Sequence, residues 1–288
     1  MCFNSAVGIE YTSDPVLIRT IKTEAGLKRG KSIKGIALLN NELFIVSHSE
    51  SEVEVYDSTT FEFRRRWQLN ELSNAEDAVS CVRNRCLYIS DSRENQKMIL
   101  RVDSEGKLIT KWLTNSEIGR LSVTDESTVV LVVHDSSTLK EFSPDGTLIQ
   151  ELDLKLCGVI HPMHAIKLAN GHFVVTQGYL GDPIHRLCEV DTDRKVIKAF
   201  GSEKGSGNRQ LTNPTYLAID REGSIMVADA GNGRVVLLGS NFEFKREIAS
   251  KNDGIQIPAR IRLDELNGRL HVGEYKTGNR CLLIYGIK

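Results

Sequence analysis

The sequence lacks the features by which membrane and secreted proteins are recognised. It contains no run of about eighteen apolar residues, which excludes an ordinary membrane-spanning helix. The first residues, MCFNSAVGIEYTSD, hold no basic segment followed by an apolar core, so they do not form a secretory signal. Lys and Arg number 37, against 38 for Asp and Glu. Because the charges balance, no net field draws the protein to nucleic acid or to an anionic membrane.

Motifs for catalysis and for structural zinc are also missing. The sequence has no G-x-S-x-G nucleophile motif, no Walker loop, no H-E-x-x-H and no C-x-x-C pair. The cysteines are Cys2, Cys81, Cys86, Cys157, Cys188 and Cys281. Cys81 and Cys86 flank one predicted turn and could approach each other. Scattered thiols without a disulfide framework are typical of a reducing compartment, so the sequence predicts a cytoplasmic protein.

The most regular stretch is residues 200–239, FGSEKGSGNRQLTNPTYLAIDREGSIMVADAGNGRVVLLG. A Gly-rich loop leads to Asn-Pro, and three short runs follow, separated by turns. Leu217 and Ile219 in the first run, then Ile225 and Val227 in the second, alternate with other residues. This period of two predicts short antiparallel strands. One such unit cannot bury both of its faces, so it predicts further copies in the chain.

The copies are visible when the ends of the runs are aligned. The third run of each unit ends at Asp57, Asp103, Ser143, Asp191, Gly239 and Tyr285, between 40 and 48 residues apart. A polar column closes the second run of each unit, at His48, Asp91, Asp135, Gln177, Asp229 and Glu274. Two columns with one period predict an all-β, six-bladed β-propeller of four-stranded antiparallel blades. The blades are expected at 32–70, 74–114, 117–154, 159–202, 210–250 and 255–288.

The ends of the chain predict how the ring closes. The sixth unit ends after its third run, CLLIY, without a fourth strand. A lone strand at 16–21 precedes the first complete unit and can supply it, which removes an open sheet edge. We therefore expect residues 1–288 to form one domain.

The fifth unit resembles the NHL repeat. The resemblance rests on the Asn-Pro entry and on Asp229, Asn232 and Arg234, which match a D-x-x-N-x-R element, and it weakens in the other units. It implies that the first, innermost strand of each blade enters from the top face, where ligands bind. NHL domains often serve as target-recognising parts of tripartite-motif ubiquitin ligases, but no RING or B-box pattern is present. Some NHL domains bind single-stranded RNA.

The same resemblance defines two rings of candidate site residues. Aligned starts of the first strands place six residues around the mouth of the central channel: Gly35, Asp77, Arg120, His164, Tyr216 and Arg260. The polar column from His48 to Glu274 lies behind them on the same face. We interpret that second ring as mostly structural, because charge-assisted hydrogen bonds from a carboxylate and a guanidinium can tie a loop to its neighbours.

Two metal-dependent enzyme classes share this architecture. Peptidylglycine-amidating lyases bind zinc through histidines from alternating blades, but here the positions two blades from His164 hold Asp77 and Arg260. His161 and His164 could form a two-residue site. Calcium-dependent lactonases use converging oxygen ligands, whereas Arg120 and Arg260 would repel a cation. The sequence therefore predicts no metal or cofactor.

We interpret the chain as a non-catalytic binding module, expected to be monomeric, that takes a protein or peptide on its top face. An acidic partner could span the mouth between Arg120 and Arg260, which we expect to face solvent. Residues 64–66, three arginines on an outer strand, are expected to lie on a solvated face. The alternatives are a metal-dependent propeller enzyme of the lactonase or lyase kind and a single-stranded RNA-binding NHL domain. RNA binding is not favoured, because Tyr216 is the one aromatic residue of the mouth column.

Overall fold

A computed structural model describes residues 9–23, 32–48, 50–93, 96–117, 119–275 and 281–287. In this part of the chain six four-stranded antiparallel sheets form, together with two short 3-10 turns at Leu154–Cys157 and Lys251–Asp253. No helix of the described residues is long and apolar enough to cross a membrane. The prediction of an all-β, six-bladed propeller is confirmed.

The strands of each blade follow one another from the innermost outward, and the N-terminal strand β1 (Val16–Lys22) precedes the first blade. Blade 1 contains β2 (Ile33–Leu39), β3 (Glu42–Ser47), β4 (Glu52–Asp57) and β5 (Phe63–Gln68). Blade 2 contains β6 (Ala75–Cys81), β7 (Cys86–Arg93), β8 (Gln96–Asp103) and β9 (Leu108–Leu113). Blade 3 contains β10 (Arg120–Val123), β11 (Val129–Val133), β12 (Thr138–Phe142) and β13 (Leu148–Asp153).

Blade 4 contains β14 (Pro162–Lys167), β15 (Phe173–Gln177), β16 (Ile184–Val190) and β17 (Val196–Glu203). Blade 5 contains β18 (Pro214–Ile219), β19 (Ile225–Asp229), β20 (Arg234–Leu238) and β21 (Phe244–Ala249). Blade 6 contains β22 (Pro258–Asp264), β23 (Arg269–Glu274) and β24 (Cys281–Gly286), with β1 as its outer strand. Residues 276–280 and 288 of the predicted sixth blade lie outside the described part of the chain.

The hydrophobic core lies between neighbouring blades. The second strands are buried on both faces, as in β11, whose sequence is VVLVV. The outer strand β9 alternates between partly buried and exposed residues. Each blade therefore covers one face of the next, and the innermost strands contact one another in the order β2, β6, β10, β14, β18, β22 and back to β2. The alternation that marks the strands in the sequence thus also separates core from surface.

The N-terminal strand closes the ring, as predicted. β1 pairs antiparallel with β24 from Val16 opposite Gly286 to Lys22 opposite Cys281. Ile21 is its one buried residue, and it packs in a cluster with Leu282 and Ile284. The remaining residues of β1 are exposed, since this strand forms the outer edge of its blade.

Cys81 and Cys86 lie directly opposite each other in the pairing of β6 with β7. Both are buried, and both are free thiols. The two cysteines, whose pairing the sequence leaves open, are therefore neighbours but do not form a disulfide.

A bulge recurs at the start of the innermost strands. In β2, β6, β14, β18 and β22 the register shifts by one residue next to the second residue of the strand. The residue that follows the bulge is Gly35, Asp77, His164, Tyr216 or Arg260. A bulge redirects the side chain that follows it. β10 instead begins at Arg120 and pairs without a bulge. Five of the six predicted mouth positions thus directly follow a bulge, and Arg120 is the exception.

Candidate functional site

The mouth column lies inside the channel and not on an open surface. Asp77 is 0% exposed, His164 2%, Arg260 6% and Tyr216 7%, while Arg120 keeps partial exposure. The expectation of a solvent-facing mouth is therefore wrong. The physical reason is that six inner strands enclose a narrow channel, so long side chains from opposite blades meet across it. We call this set, with Gly35, the channel layer.

Tyr216 and Asp77 span the channel. The Tyr216 hydroxyl of blade 5 donates to Oδ2 of Asp77 on the opposite blade 2, at 3.1 Å. The ring of His164 stacks on Tyr216 with centroids 3.7 Å apart and planes inclined by 19°. On the remaining side Gly35 is required, because a Cβ there would lie 2.2 Å from the backbone nitrogen of Ala78. The side chains of the channel layer therefore pack against one another across the channel.

Asp77 accepts hydrogen bonds from several groups of the channel layer and its surroundings. Its Oδ1 accepts from the backbone N–H of Ala78 and its Oδ2 from that of Leu121, both at 2.9 Å. Nε of Arg260 lies 3.7 Å from Oδ1. Burial raises the pKa of Asp77, while Arg260 and the two backbone donors oppose that shift. Both oxygens are thus occupied by protein groups.

Arg260 ties three blades together. Its guanidinium donates to the carbonyls of Lys34 at 2.6 Å, Ala259 at 2.9 Å and Glu76 at 2.9 Å. It also lies over the ring of Tyr216, 5.4 Å from the centroid. With its donors engaged by blades 6, 1 and 2, Arg260 is not available to hold one end of a ligand. The expectation that Arg120 and Arg260 act as a pair on an acidic partner is therefore wrong for Arg260.

Arg120, directly opposite Arg260, is bonded very differently. Nη1 donates to the carbonyl of Met163 at 2.8 Å, and Nε is buried without a partner. Burial first, and then repulsion by Arg260, lower the pKa of Arg120 to about 9. The guanidinium groups of the predicted pair thus differ in how many of their donors the protein engages.

The two neighbouring histidines do not converge on a metal. Nε2 of His164 lies 3.1 Å from the carbonyl of Leu121, which can only accept, so Nε2 carries the proton. Burial lowers the pKa of His164 to about 3, which keeps the ring neutral. His161 instead lies partly exposed, with Nδ1 2.9 Å from Asp182.

The residues of the channel do not fit a zinc or calcium site. The part of the chain that the structure describes holds no group of three His, Cys, Asp or Glu side chains placed to share a metal ion. Both Asp77 oxygens accept protein hydrogen bonds, and the guanidinium of Arg260 lies beside them. A cation entering here would displace those donors and face an arginine.

The second ring bonds to neighbouring loop and strand groups in the blades where the register places it as predicted. Asp229 ends β19 and accepts from the backbone N–H of Thr212 at 2.7 Å, from Asn232 at 2.7 Å and from Nε of Arg234 at 2.8 Å. Arg234 also donates to Glu247 and to two carbonyls of the preceding loop. This cluster, the blade 5 corner, fastens the entry loop to its own blade.

Other members of the second ring also accept hydrogen bonds from nearby segments. Asp91 accepts from the backbone N–H of Asn74 at 2.6 Å, and Glu274 accepts from the N–H groups of Gln256 and Ile257. Gln177 accepts from Nε of Arg186 at 2.8 Å. Each of the first two holds the segment that enters the innermost strand.

Two members of the predicted second ring are misplaced. Ile33 pairs with Ser47, so His48 lies one residue beyond the end of β3. β11 ends at Val133, and Asp135 is exposed in the following turn. In both blades a polar residue occurs in the turn, where alignment by residue type alone cannot distinguish it from the end of the strand.

An apolar cluster on the top face of blades 3 and 4 is absent from the sequence-based predictions. Ile160, Tyr179 and Leu180 are 49%, 46% and 66% exposed. His134 packs against Tyr179 and against His161, with ring centroids 5.1 and 5.0 Å apart. We call Ile160, Tyr179, Leu180 and His134 the top-face cluster. Its signal in the sequence is the apolar pair Tyr179 and Leu180 in the loop after β15.

Known proteins resemble the chain in fold. No protein-family model and no curated protein matches it. Among solved structures it resembles hydrazine synthase from Kuenenia stuttgartiensis, with a TM-score of 0.63 and 11% identity over 93% of this chain and 98% of that one. It also resembles a protein of unknown function from Bacteroides caccae, with a TM-score of 0.59 and 13% identity over 78% and 84% of the two chains. At these identities the likeness concerns the fold.

Proposed function

We propose that this propeller, of the NHL type, is a binding module that takes a protein or peptide on its top face through the top-face cluster. The observation that carries the proposal is the exposure of Ile160, Tyr179 and Leu180 together on the face where the innermost strands begin. Exposed aromatic and aliphatic side chains grouped in this way are typical of interaction sites.

The channel layer supports the same proposal. Because Asp77, His164 and Tyr216 fill the mouth and bond to one another, a partner on this side meets a closed surface and not a deep substrate pocket. Tyr216 is also buried, so it cannot stack on a nucleotide base, which RNA binding at the mouth would need. A lateral or top surface contact is the remaining mode, and the top-face cluster provides one.

The charged outer strand of blade 1 is not a comparable site. Arg64 pairs with Glu42 and Asp57, and Arg65 pairs with Glu42 and reaches Ser104 of blade 2. Arg66 lies 3.3 Å from Glu52. These arginines are neutralised by their neighbours, in agreement with a solvated face.

The test compares two double variants of the full chain. Tyr179→Ala with Leu180→Ser removes the centre of the top-face cluster, and Val82→Ser with Leu266→Ser removes two exposed apolar residues in turns at the opposite ends of the inner strands. Each protein is used as bait in quantitative affinity capture, and the partner enriched by the wild type is then purified for titration.

We expect the top-face variant to lose about 2 kcal/mol of binding free energy, roughly thirtyfold in affinity, as for interface hot spots. The control should bind like the wild type. Equal loss in the control, or no loss in the top-face variant, would contradict the proposal.

A further inference from the structure

The channel layer is short of negative charge. Lys34, Arg120 and Arg260 lie in or beside it, and the carboxylates there are Glu76 and Asp77. Glu76 pairs with Lys34 at 2.7 Å and Asp77 lies 3.7 Å from Arg260. In the described residues no carboxylate lies within ion-pair distance of Arg120. A largely buried cation without a counter-charge is unfavourable, and an anion from solution would relieve it.

Two nitrogens of the Arg120 guanidinium, Nε and Nη2, have no protein partner among the described residues and lie on one edge. Nη1 is engaged by the carbonyl of Met163, and Nε is buried without a partner. Among the described residues no protein atom accepts from Nη2 either. Nε and Nη2 form one edge of the guanidinium, with two parallel N–H groups. That edge matches two oxygens of a carboxylate or phosphate group.

One further buried hydrogen-bond donor on the strand of Arg120 lacks a partner. Ser122 is 7% exposed, and its hydroxyl makes no hydrogen bond with the described protein atoms. It lies on β10 two residues beyond Arg120, and therefore on the same face of the strand. Nδ1 of His164 is also unpartnered, but in the neutral ring it carries no proton and can only accept, so it offers no donor to an anion. Buried polar groups are nearly always satisfied, so the layer is incomplete by itself.

We propose that the channel beside Arg120 binds one small oxyanion, carrying carboxylate or phosphate oxygens, on the Nε–Nη2 edge of Arg120. The ligand is small because Tyr216 and His164 already fill the channel. It reaches the site where Arg120 keeps its partial exposure. This inference goes beyond the binding of a partner on the top-face cluster and needs no partner to be present.

The experiment titrates the full-length protein with inorganic phosphate and with acetate. Chloride keeps the ionic strength constant, and the Nε–H signals of the arginines are followed in proton–nitrogen spectra. The Arg120 signal is assigned by its absence in Arg120→Gln. We expect it to shift with saturation for at least one of the two anions. In Arg120→Gln the affinity from calorimetry should fall roughly tenfold or more, as expected when a charged hydrogen-bond donor is removed.

Arg186→Gln is the matched control, because Arg186 is a partly buried arginine with its own partners, Gln177 and the carbonyl of Gly158. It should bind the anion like the wild type. Arg120→Lys keeps the charge but removes the two parallel N–H groups, so it should also bind the anion weakly. This variant tests the proposal if Arg120→Gln does not fold. Saturable binding that persists in both Arg120 variants, or no saturable shift with either anion, would overturn the proposal. Either result leaves the test of the top-face cluster unaffected.

Discussion

Arg234 in the blade 5 corner and Arg120 in the channel layer are two arginines removed from most solvent contact, and they differ in what surrounds them. Arg234 donates to Asp229, to Glu247 and to the carbonyls of Gly207 and Gln210. Arg120 donates to one carbonyl. The pKa of Arg234 is raised by its two carboxylates despite burial, whereas that of Arg120 is lowered. The paired guanidinium of Arg234 stabilises the fold. The guanidinium of Arg120, which lacks such partners, is available to a ligand.

Opening the ring should have the largest effect, because the channel layer around Arg120 depends on contacts between blades, whereas the partners of Arg234 lie in its own blade and entry loop. Deleting residues 1–22 removes β1 and leaves β24 with an unpaired edge. We expect an aggregation-prone or unfolded protein, measured by circular dichroism and size-exclusion chromatography. Deleting residues 1–15 keeps β1 and serves as the control. A protein lacking 1–22 that melts at the wild-type temperature would show that the ring does not rely on this strand.

Breaking the blade 5 corner should have the next largest effect. Asp229→Ala leaves Arg234 and the N–H of Thr212 without their buried acceptor, and removing one partner of a buried ion pair costs about 3–5 kcal/mol. Asp135→Ala changes an exposed aspartate of the same predicted ring and should stay within about 0.5 kcal/mol of the wild type. Urea unfolding gives both values. Similar losses of stability for the two variants would contradict the claim that Asp229 is bonded into the fold and Asp135 is not.

Lowering the pH should destabilise the channel layer, because protonating His164 adds a cation beside the uncompensated charge of Arg120. Burial lowers the pKa of His164, beside Arg120 and Arg260, and that of His271, beside Arg262 and Arg269, to about 3 each. The unfolded chain then binds more protons between pH 6.5 and 3, so stability falls as the pH is lowered through that range. The slope should approach about 1.4 kcal/mol per pH unit for each histidine.

The measurement is the free energy of unfolding in urea at several pH values from 7 to 4. His164→Gln should have a shallower slope than the wild type. An unchanged slope in His164→Gln would show that this ring is not held neutral by the fold.

The fold could be predicted from the sequence because its signals are local. Alternation within strands, such as Ile225 and Val227, and recurrence of the same turn residues define blades and their number, and an unpaired strand at each end defines the closure. The positions of the mouth column follow from the same alignment. Burial and bonding there could not be predicted, since they depend on contacts between distant residues. Tyr216 and Asp77, for example, are 139 residues apart.

The second ring shows the same limit in another form. The contacts of Asp229 could be predicted because its partners Asn232 and Arg234 are close in sequence. The placement of Asp135 is wrong because the turn after β11 carries its polar residues beyond the strand end. The top-face cluster could not be predicted because an exposed apolar side chain in a loop has the same sequence signature as a buried one.

The most direct measurement is the free energy of unfolding of Arg260→Met and Arg120→Met, compared in urea under the same conditions. Arg260→Met removes three hydrogen bonds, two of them to other blades, and leaves Asp77 buried without its arginine, so we expect a loss of about 3 kcal/mol or more. Arg120→Met removes one bond together with an uncompensated charge, and it should change stability by less than about 1 kcal/mol. Equal losses in the two variants, or a larger loss for Arg120→Met, would contradict the assignment of Arg260 to the fold and of Arg120 to ligand binding.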